Sequence, residues 1–155
     1  MTRILFVCTG NICRSPTAEG VTKHILKNNA LYSFIEVDSA GTQGYHVGEP
    51  PDRRSQLAAQ KRGIDLSGLR ARQVHPADFK RFDLLLAMDR DHLATLNRDC
   101  PPEYRDKLSL FMRYASRFKI DEVPDPYYGG AQGFEAVLDM IEDAASGLIA
   151  SLRSP

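Results

Sequence analysis

No stretch of this 155-residue chain comes near the ~20 consecutive apolar residues that a membrane-spanning helix needs, and the apolar run close to its start is too short for the hydrophobic segment of a secretory signal. Neither membrane insertion nor export is expected. An excess of charge is also missing: 20 lysines and arginines balance 20 aspartates and glutamates, with an isoelectric point near 6.9. The chain therefore presents no net field to nucleic acid or to an anionic membrane, and partners of those kinds are not expected. Cysteine is scarce. Cys8, Cys13 and Cys100 are too few for a disulfide framework, and with the four scattered histidines they make no zinc-ligand spacing. No metal and no cofactor is expected, and reduced thiols suit a cytoplasmic location. Linkers, repeats and low-complexity tracts are absent as well, so residues 1–155 are expected to form one domain, with 43% apolar content to fill its core.

The segment from Ile4 to Pro16 carries most of the chemistry. Ile4 to Val7 is a short apolar run that reads as a strand buried on both faces, and Ser15-Pro16 reads as a helix start, a capping side chain followed by the residue tolerated at the first helical position. Residues 8 to 14 then bridge strand and helix. Such a bridge can curl so that successive backbone N–H groups point inward, and the helix behind it adds its positive end, which together make a site for a tetrahedral oxyanion. Cys8 lies at the bottom of that curl, where the same N–H groups and helix end stabilise its thiolate and make it a nucleophile. Arg14, six residues on, can swing over the loop and grip two phosphate oxygens with its planar fork, and the Ser15 hydroxyl is placed to donate to the sulfur.

A second feature lies far downstream. Val123-Pro124-Asp125-Pro126-Tyr127-Tyr128-Gly129-Gly130 is a stiff, turn-rich loop that displays one carboxylate beside two aromatics. Phosphoryl transfer to a thiolate needs an acid to protonate the leaving oxygen, and Asp125, between two prolines, is held in place for it.

With these motifs in this order, together with Asp38-Ser39-Ala40-Gly41-Thr42, Ala71-Arg72-Gln73-Val74 and Ala87-Met88-Asp89, the chain resembles the low-molecular-weight protein tyrosine phosphatases over nearly its whole length. The resemblance implies that Cys8 is the nucleophile, Arg14 the phosphate clamp, Ser15 a thiolate stabiliser, Asn11 a loop-shaping residue and Asp125 the general acid, with Thr9, Gly10, Ile12 and Cys13 completing the phosphate-binding loop. It also matches Cys13 to a second loop cysteine implicated in reversible disulfide protection, and Tyr45, Tyr127 and Tyr128 to the walls of the substrate crevice. Two departures stand out. Leu69 occupies the place of a histidine that braces the loop asparagine in many relatives, and Tyr45, with His46 beside it, replaces the usual crevice tryptophan.

The activity implied is hydrolysis of phosphotyrosine, on proteins and on small aryl phosphates, through a cysteinyl-phosphate intermediate. An arsenate reductase built on the same architecture is the alternative, although its thioredoxin-coupled form needs a downstream cysteine pair and Cys100 stands alone. A non-enzymatic phosphotyrosine-binding module would lack nucleophile or acid, and this chain has both.

Strand and helix patterns alternate, which predicts an α/β fold: a four-stranded parallel open sheet with helices on both faces. Strands are expected at Ile4 to Cys8, Phe34 to Ser39, Phe82 to Met88 and Lys107 to Met112; helices at Pro16 to about Asn28, at Pro51 to Arg62 with Gly63 as its stop, and from Arg90. Phe134, Val137, Leu138, Ile141, Ala145, Leu148, Ile149 and Leu152 form the core-facing stripe of a long C-terminal helix. In such a sheet ligands bind beyond the carboxyl ends of the strands, where Cys8 falls. Arg53, Arg54, Lys61, Arg62, Arg70 and Arg72 read as solvated, Asp52 and Asp65 as caps, Asp89 as a structural partner of an arginine or of the acid loop, and His24, His46, His75 and His92 carry no assigned role.

Overall fold

A computed structural model describes residues 1–30, 34–126 and 130–153. In chain order the elements are β1 (Thr2–Cys8), α1 (Arg14–Asn28), β2 (Ile35–Gly41), α2 (Arg53–Gln60), α3 (Asp78–Arg81), β3 (Leu84–Ala87), α4 (Arg90–Asp99), β4 (Leu108–Leu110) and α5 (Gly130–Arg153), with 3-10 turns at Pro102–Lys107 and Phe111–Tyr114 on either side of β4. All strand pairs are parallel and the order is β2-β1-β3-β4. The expected four-stranded open sheet is therefore present. Among the described residues no helix is long and apolar enough to cross a membrane.

Side chains of β1 alternate between two cores, as pleating requires. Ile4, Phe6 and Cys8 face α1, α2 and α5, where Phe6 meets Phe111 edge-on at 5.0 Å; Leu5 and Val7 face Phe79, Phe82 and Leu96 on the α3 and α4 side. Both faces of the strand are sealed, which explains its unbroken apolar run. The α5 stripe is core: Phe134 through Ile149 are buried as the spacing predicts, and Leu152 packs against them half-buried. Gly147 lets α5 press onto the turn before it, because a Cβ there would lie 1.9 Å from the Tyr114 carbonyl oxygen.

The order matters for function because β1 is an inner strand whose two neighbours, β2 and β3, are reached by connections leaving in opposite directions. Such a reversal opens a crevice at the carboxyl end of the sheet. Cys8 is the last residue of β1 and opens into it.

Several boundaries and roles differ from the sequence expectation. Helix α1 starts at Arg14, not Pro16, and its N-cap is Cys13 without a side-chain cap bond; Ser15 lies inside the helix because its hydroxyl is committed elsewhere. Strand β4 spans only three residues, since the chain tightens into 3-10 turns at both ends. Asp52 caps α2 by accepting from the Arg54 N–H at 2.8 Å, whereas Asp65 closes a turn onto the Ser67 N–H and caps no helix. Arg62 is not solvated: it pairs with Glu135 at 2.7 Å, Asp139 at 2.9 Å and Glu142 at 3.3 Å, three carboxylates one helical turn apart along α5.

Candidate active site

Between the end of β1 and the start of α1, residues 9 to 13 form a tight loop that depends on one unusual backbone conformation and one close approach. Asn11 adopts φ 59°, the left-handed region that asparagine tolerates better than branched residues. Gly41, at the end of β2, lies so close that a Cβ would stand 2.5 Å from the Thr9 carbonyl oxygen. The loop is tied back by Thr42 N–H to Cys8 O at 2.8 Å, Gln43 N–H to Thr9 O at 3.0 Å and Asp52 N–H to Ile12 O at 2.7 Å. Among the described residues no acceptor takes the N–H groups of residues 9 to 13, so they are left for an anion.

The hydrogen-bond directions around Cys8 follow from one fixed donor. The Arg72 backbone N–H can only donate, and it donates to Asn11 Oδ1 at 3.0 Å, which fixes the orientation of the Asn11 amide. Both Nδ2 protons are then assigned, to Ser15 Oγ at 2.7 Å and to Ser39 Oγ at 3.0 Å. The Ser39 hydroxyl donates to the buried Glu19 carboxylate at 2.6 Å. Ser15 has one proton left, and the nearer acceptor is Cys8 Sγ at 2.9 Å against the Ala40 carbonyl at 3.5 Å. The network ends in a donor aimed at the sulfur. The Leu69 side chain packs half-buried on the core and has no group that could hydrogen-bond Asn11; the support for Asn11 comes instead from Ser15, Ser39 and the Arg72 backbone. Arg72 itself is no solvated residue, because its fork is held by Asp38 and Asp78 at 3.0 Å each.

Arg14 is buried, and its Nη1 donates to Asp89 Oδ2 at 2.8 Å and to the Val123 carbonyl at 2.9 Å. Asp89 in turn caps α4 through the His92 N–H. Burial raises its pKa, but the His92 N–H and the Arg14 guanidinium outweigh it and hold the carboxyl below its usual range. The structural partnership expected for Asp89 is therefore with Arg14. Cys13 is a buried thiol whose pKa is pushed up to about 12, first by burial and then by the charges of Asp52 and Cys8. It stays protonated near neutral pH.

A cleft of about 260 Å³ brings Cys8, Arg14 and Asp125 together, although Asp125 stands 117 positions (125 minus 8) beyond Cys8. Thr9, Gly10, Ile12 and Cys13 line its floor, and Tyr45 and His46 line its mouth. Tyr45 is 83% exposed, free to lie against an incoming ring, and His46 is held by Glu49 at 2.6 Å with its ring over Gly10. Tyr127 and Tyr128, also expected at the crevice, lie outside the described residues.

The family model for the low molecular weight phosphotyrosine protein phosphatases matches residues 3–155. The chain belongs to that family. It is 44% identical to the low molecular weight protein-tyrosine-phosphatase of Streptomyces coelicolor over 97% of this chain and 93% of the relative, and 40% identical to the human low molecular weight phosphotyrosine protein phosphatase over 86% and 85%. A solved protein tyrosine phosphatase from Entamoeba histolytica, with Hepes in its active site, superposes with a TM-score of 0.96 at 42% identity, covering 99% of this chain and 97% of that one. As a member of this family the protein is a phosphoric monoester hydrolase acting on phosphotyrosine.

Arsenate reduction is not favoured. The relatives carry phosphatase names, and Cys100 packs in the core on the α3 and α4 face with its thiol on the Pro101 carbonyl, away from Cys8 and Cys13 on the other face. Four contributors were not assigned from sequence: Glu19, Ser39, Arg72 and His92. Glu19 and His92 had a signal, each a polar residue on the inward face of its helix, one turn beyond Ser15 and Asp89 respectively. Ser39 and the Arg72 backbone had none, because what they contribute depends on how three loops meet.

Proposed function

We propose that residues 1–155 act as one phosphatase domain in the cytoplasm on phosphotyrosine proteins and small aryl phosphates, with Cys8, Arg14 and Asp125 as the reacting constellation. The single observation that supports this most is the meeting of these three residues in one cleft, with the Ser15 proton directed at the sulfur. The Cys8 thiolate attacks phosphorus in line with the tyrosine oxygen. The P–O bond breaks, its electron pair leaves on the phenolic oxygen, and that oxygen takes the proton of Asp125. The loop N–H groups and Arg14 bind the equatorial oxygens, whose charge is spread most widely in the transition state. Water then attacks the cysteinyl-phosphate and gives a proton to the Asp125 carboxylate, the P–S bond breaks, and thiolate and inorganic phosphate are released.

Phosphotyrosyl peptide hydrolysis with an acid-quenched, radiolabelled phosphoenzyme tests the scheme. Label should be trapped on the wild-type protein, and Cys8→Ser should fold yet lose turnover by about 10⁴ or more, since an alkoxide is far harder to form than a thiolate. A folded Cys8→Ser protein with substantial turnover overturns the covalent route.

A further inference from the structure

His92 is 3% exposed, sits on the first turn of α4 and takes no part in the scheme above. We infer that it is a positioning residue: its neutral ring, through Nε2, fixes both Thr9 and the free arm of the Arg14 fork so that the remaining N–H groups face the phosphoryl oxygens. The inference rests on Arg14 as the phosphate clamp and adds what holds it.

Nε2 lies 2.7 Å from Thr9 Oγ1 and 3.4 Å from Arg14 Nη2. A guanidinium nitrogen can only donate, so the atom facing it must offer a lone pair. In a neutral imidazole the proton is then on Nδ1, and Nδ1 faces Asp89 Oδ1 at 3.1 Å, off the line of a hydrogen bond but on the side where its proton meets negative charge. Thr9 correspondingly donates its hydroxyl proton to Nε2. Burial, then the charge of Arg14, pushes the ring's pKa down to about 4 against the opposing charges of Asp89, Asp91 and Asp125, so the ring is neutral near pH 7.

Division of labour on the fork shows why this matters. Asp89 Oδ2 and the Val123 carbonyl both hold Nη1, and neither touches Nη2. Two contacts on one nitrogen leave the plane free to tilt about it. Among the described residues His92 is the contact on Nη2, and the same ring atom holds the first residue of the loop. Asp89 splits its two oxygens between Arg14 and His92, closing a ring of three side chains behind the loop. Clamp and loop are thereby set relative to each other by one buried atom, which is the preorganisation that transition-state binding needs.

The test compares His92→Leu, which fills the space without an acceptor, with His92→Gln, whose side-chain oxygen can reach the Nε2 position. Both are read by kcat and KM on a phosphotyrosyl peptide and by inhibition constants for vanadate, a transition-state mimic, and inorganic phosphate, a ground-state one. His92→Leu should lower kcat and weaken vanadate by about 10- to 100-fold, less than the 10²–10³ of losing an oxyanion donor outright, while phosphate binding and KM change by about threefold or less. His92→Gln should recover most of the loss. Unchanged vanadate binding in a folded His92→Leu protein, or equal losses in both variants, overturns the inference. Should His92→Leu not fold, the wild-type ring decides: its Nε2 nitrogen shift at pH 7 should be that of an unprotonated nitrogen, and a protonated Nε2 refutes the arrangement. Absence of turnover by the wild-type protein would instead sink the phosphatase reading itself, a result these variants do not mimic.

Discussion

Around the phosphate loop, Asn11, Arg14 and Ser15 are buried and hydrogen-bonded on more than one side, whereas the segment from Asp121 to Pro126 brings an exposed Asp125 to the cleft on a strand of chain anchored by the buried Val123 and Pro126. Val123 is gripped twice, its N–H on the Met88 carbonyl at 2.8 Å and its carbonyl on Arg14 at 2.9 Å. Before it, two surface contacts join the segment to α4: Arg90 to Asp121, and the Arg90 N–H to Glu122 at 2.8 Å. The difference matches the two tasks. Charge stabilisation works through dipoles that need no reorganisation at the moment of reaction, so they are built into buried bonds. A proton donor has only to reach whichever leaving oxygen arrives, and in the proposed scheme its loop is joined to the clamp through the Val123 carbonyl.

This contrast can be broken first at Asp125. Asp125→Asn removes the proton donor and leaves the cradle, so kcat should fall by about 10² to 10⁴ on phosphotyrosine and by less on p-nitrophenyl phosphate, because tyrosine's pKa of about 10 makes the acid worth more than for an already acidic phenol. Equal small losses on both substrates, measured by single-turnover kinetics, would mean that another group donates the proton.

The buried side of the contrast should also show in stability against pH. Burial and Arg14 push the His92 pKa from 6.5 to about 4, so between those values the unfolded chain binds a proton that the folded chain refuses. Stability is therefore complete above the upper value and declines as the pH falls through the window, by on the order of 3 kcal/mol in total. Asp89, with its pKa lowered, adds a loss of the same sign at still lower pH. Urea unfolding at pH 7 and at pH 4.5 should show the decline in the wild type and a smaller one in His92→Gln; identical declines would refute the assignment.

Asn11→Ala sharpens the comparison further. It removes the amide that orients Ser15 and leaves a residue ill-suited to φ 59°, at a cost of about 1–3 kcal/mol, or about 5- to 150-fold in kcat. Unlike the Asp125 loss, this one should be the same for phosphotyrosine and p-nitrophenyl phosphate, since it weakens the cradle and not the leaving-group step. A strong leaving-group dependence would erase the distinction between the loops. The smallest effect belongs to Glu122→Gln: it removes the charge that faces Arg90 while an oxygen remains to accept from the Arg90 N–H, and it should change kcat by about threefold or less, and stability by about 1 kcal/mol or less. A loss as large as that of Asn11→Ala would show that the acid loop is held more widely than through Val123.

The sequence by itself determined the parts whose chemistry is local. The apolar run of β1, the loop from Cys8 to Arg14 and the α5 stripe are contiguous or strictly periodic, so burial and loop shape could be read from residue type and spacing. The resemblance tied Asp125 to that loop, although nothing in spacing alone does so. Helix α1 begins two residues before the position its Ser15-Pro16 signature marks, because Ser15 carries the pattern of a cap while its hydroxyl serves Cys8. Only the tertiary structure decided what stands behind the loop. Arg72 and Ser39 matter to Asn11 because parallel pairing brings the end of β2 and the segment after Ala71 alongside the loop. Arg62 reads as solvated until α5 is laid across it. His92 and Asp89 become partners of Arg14 because β3 pairs with β1 and delivers the first turn of α4 to the same end of the sheet. Hydrogen-bond direction and burial are properties of atoms brought together from distant positions, and no local pattern encodes them.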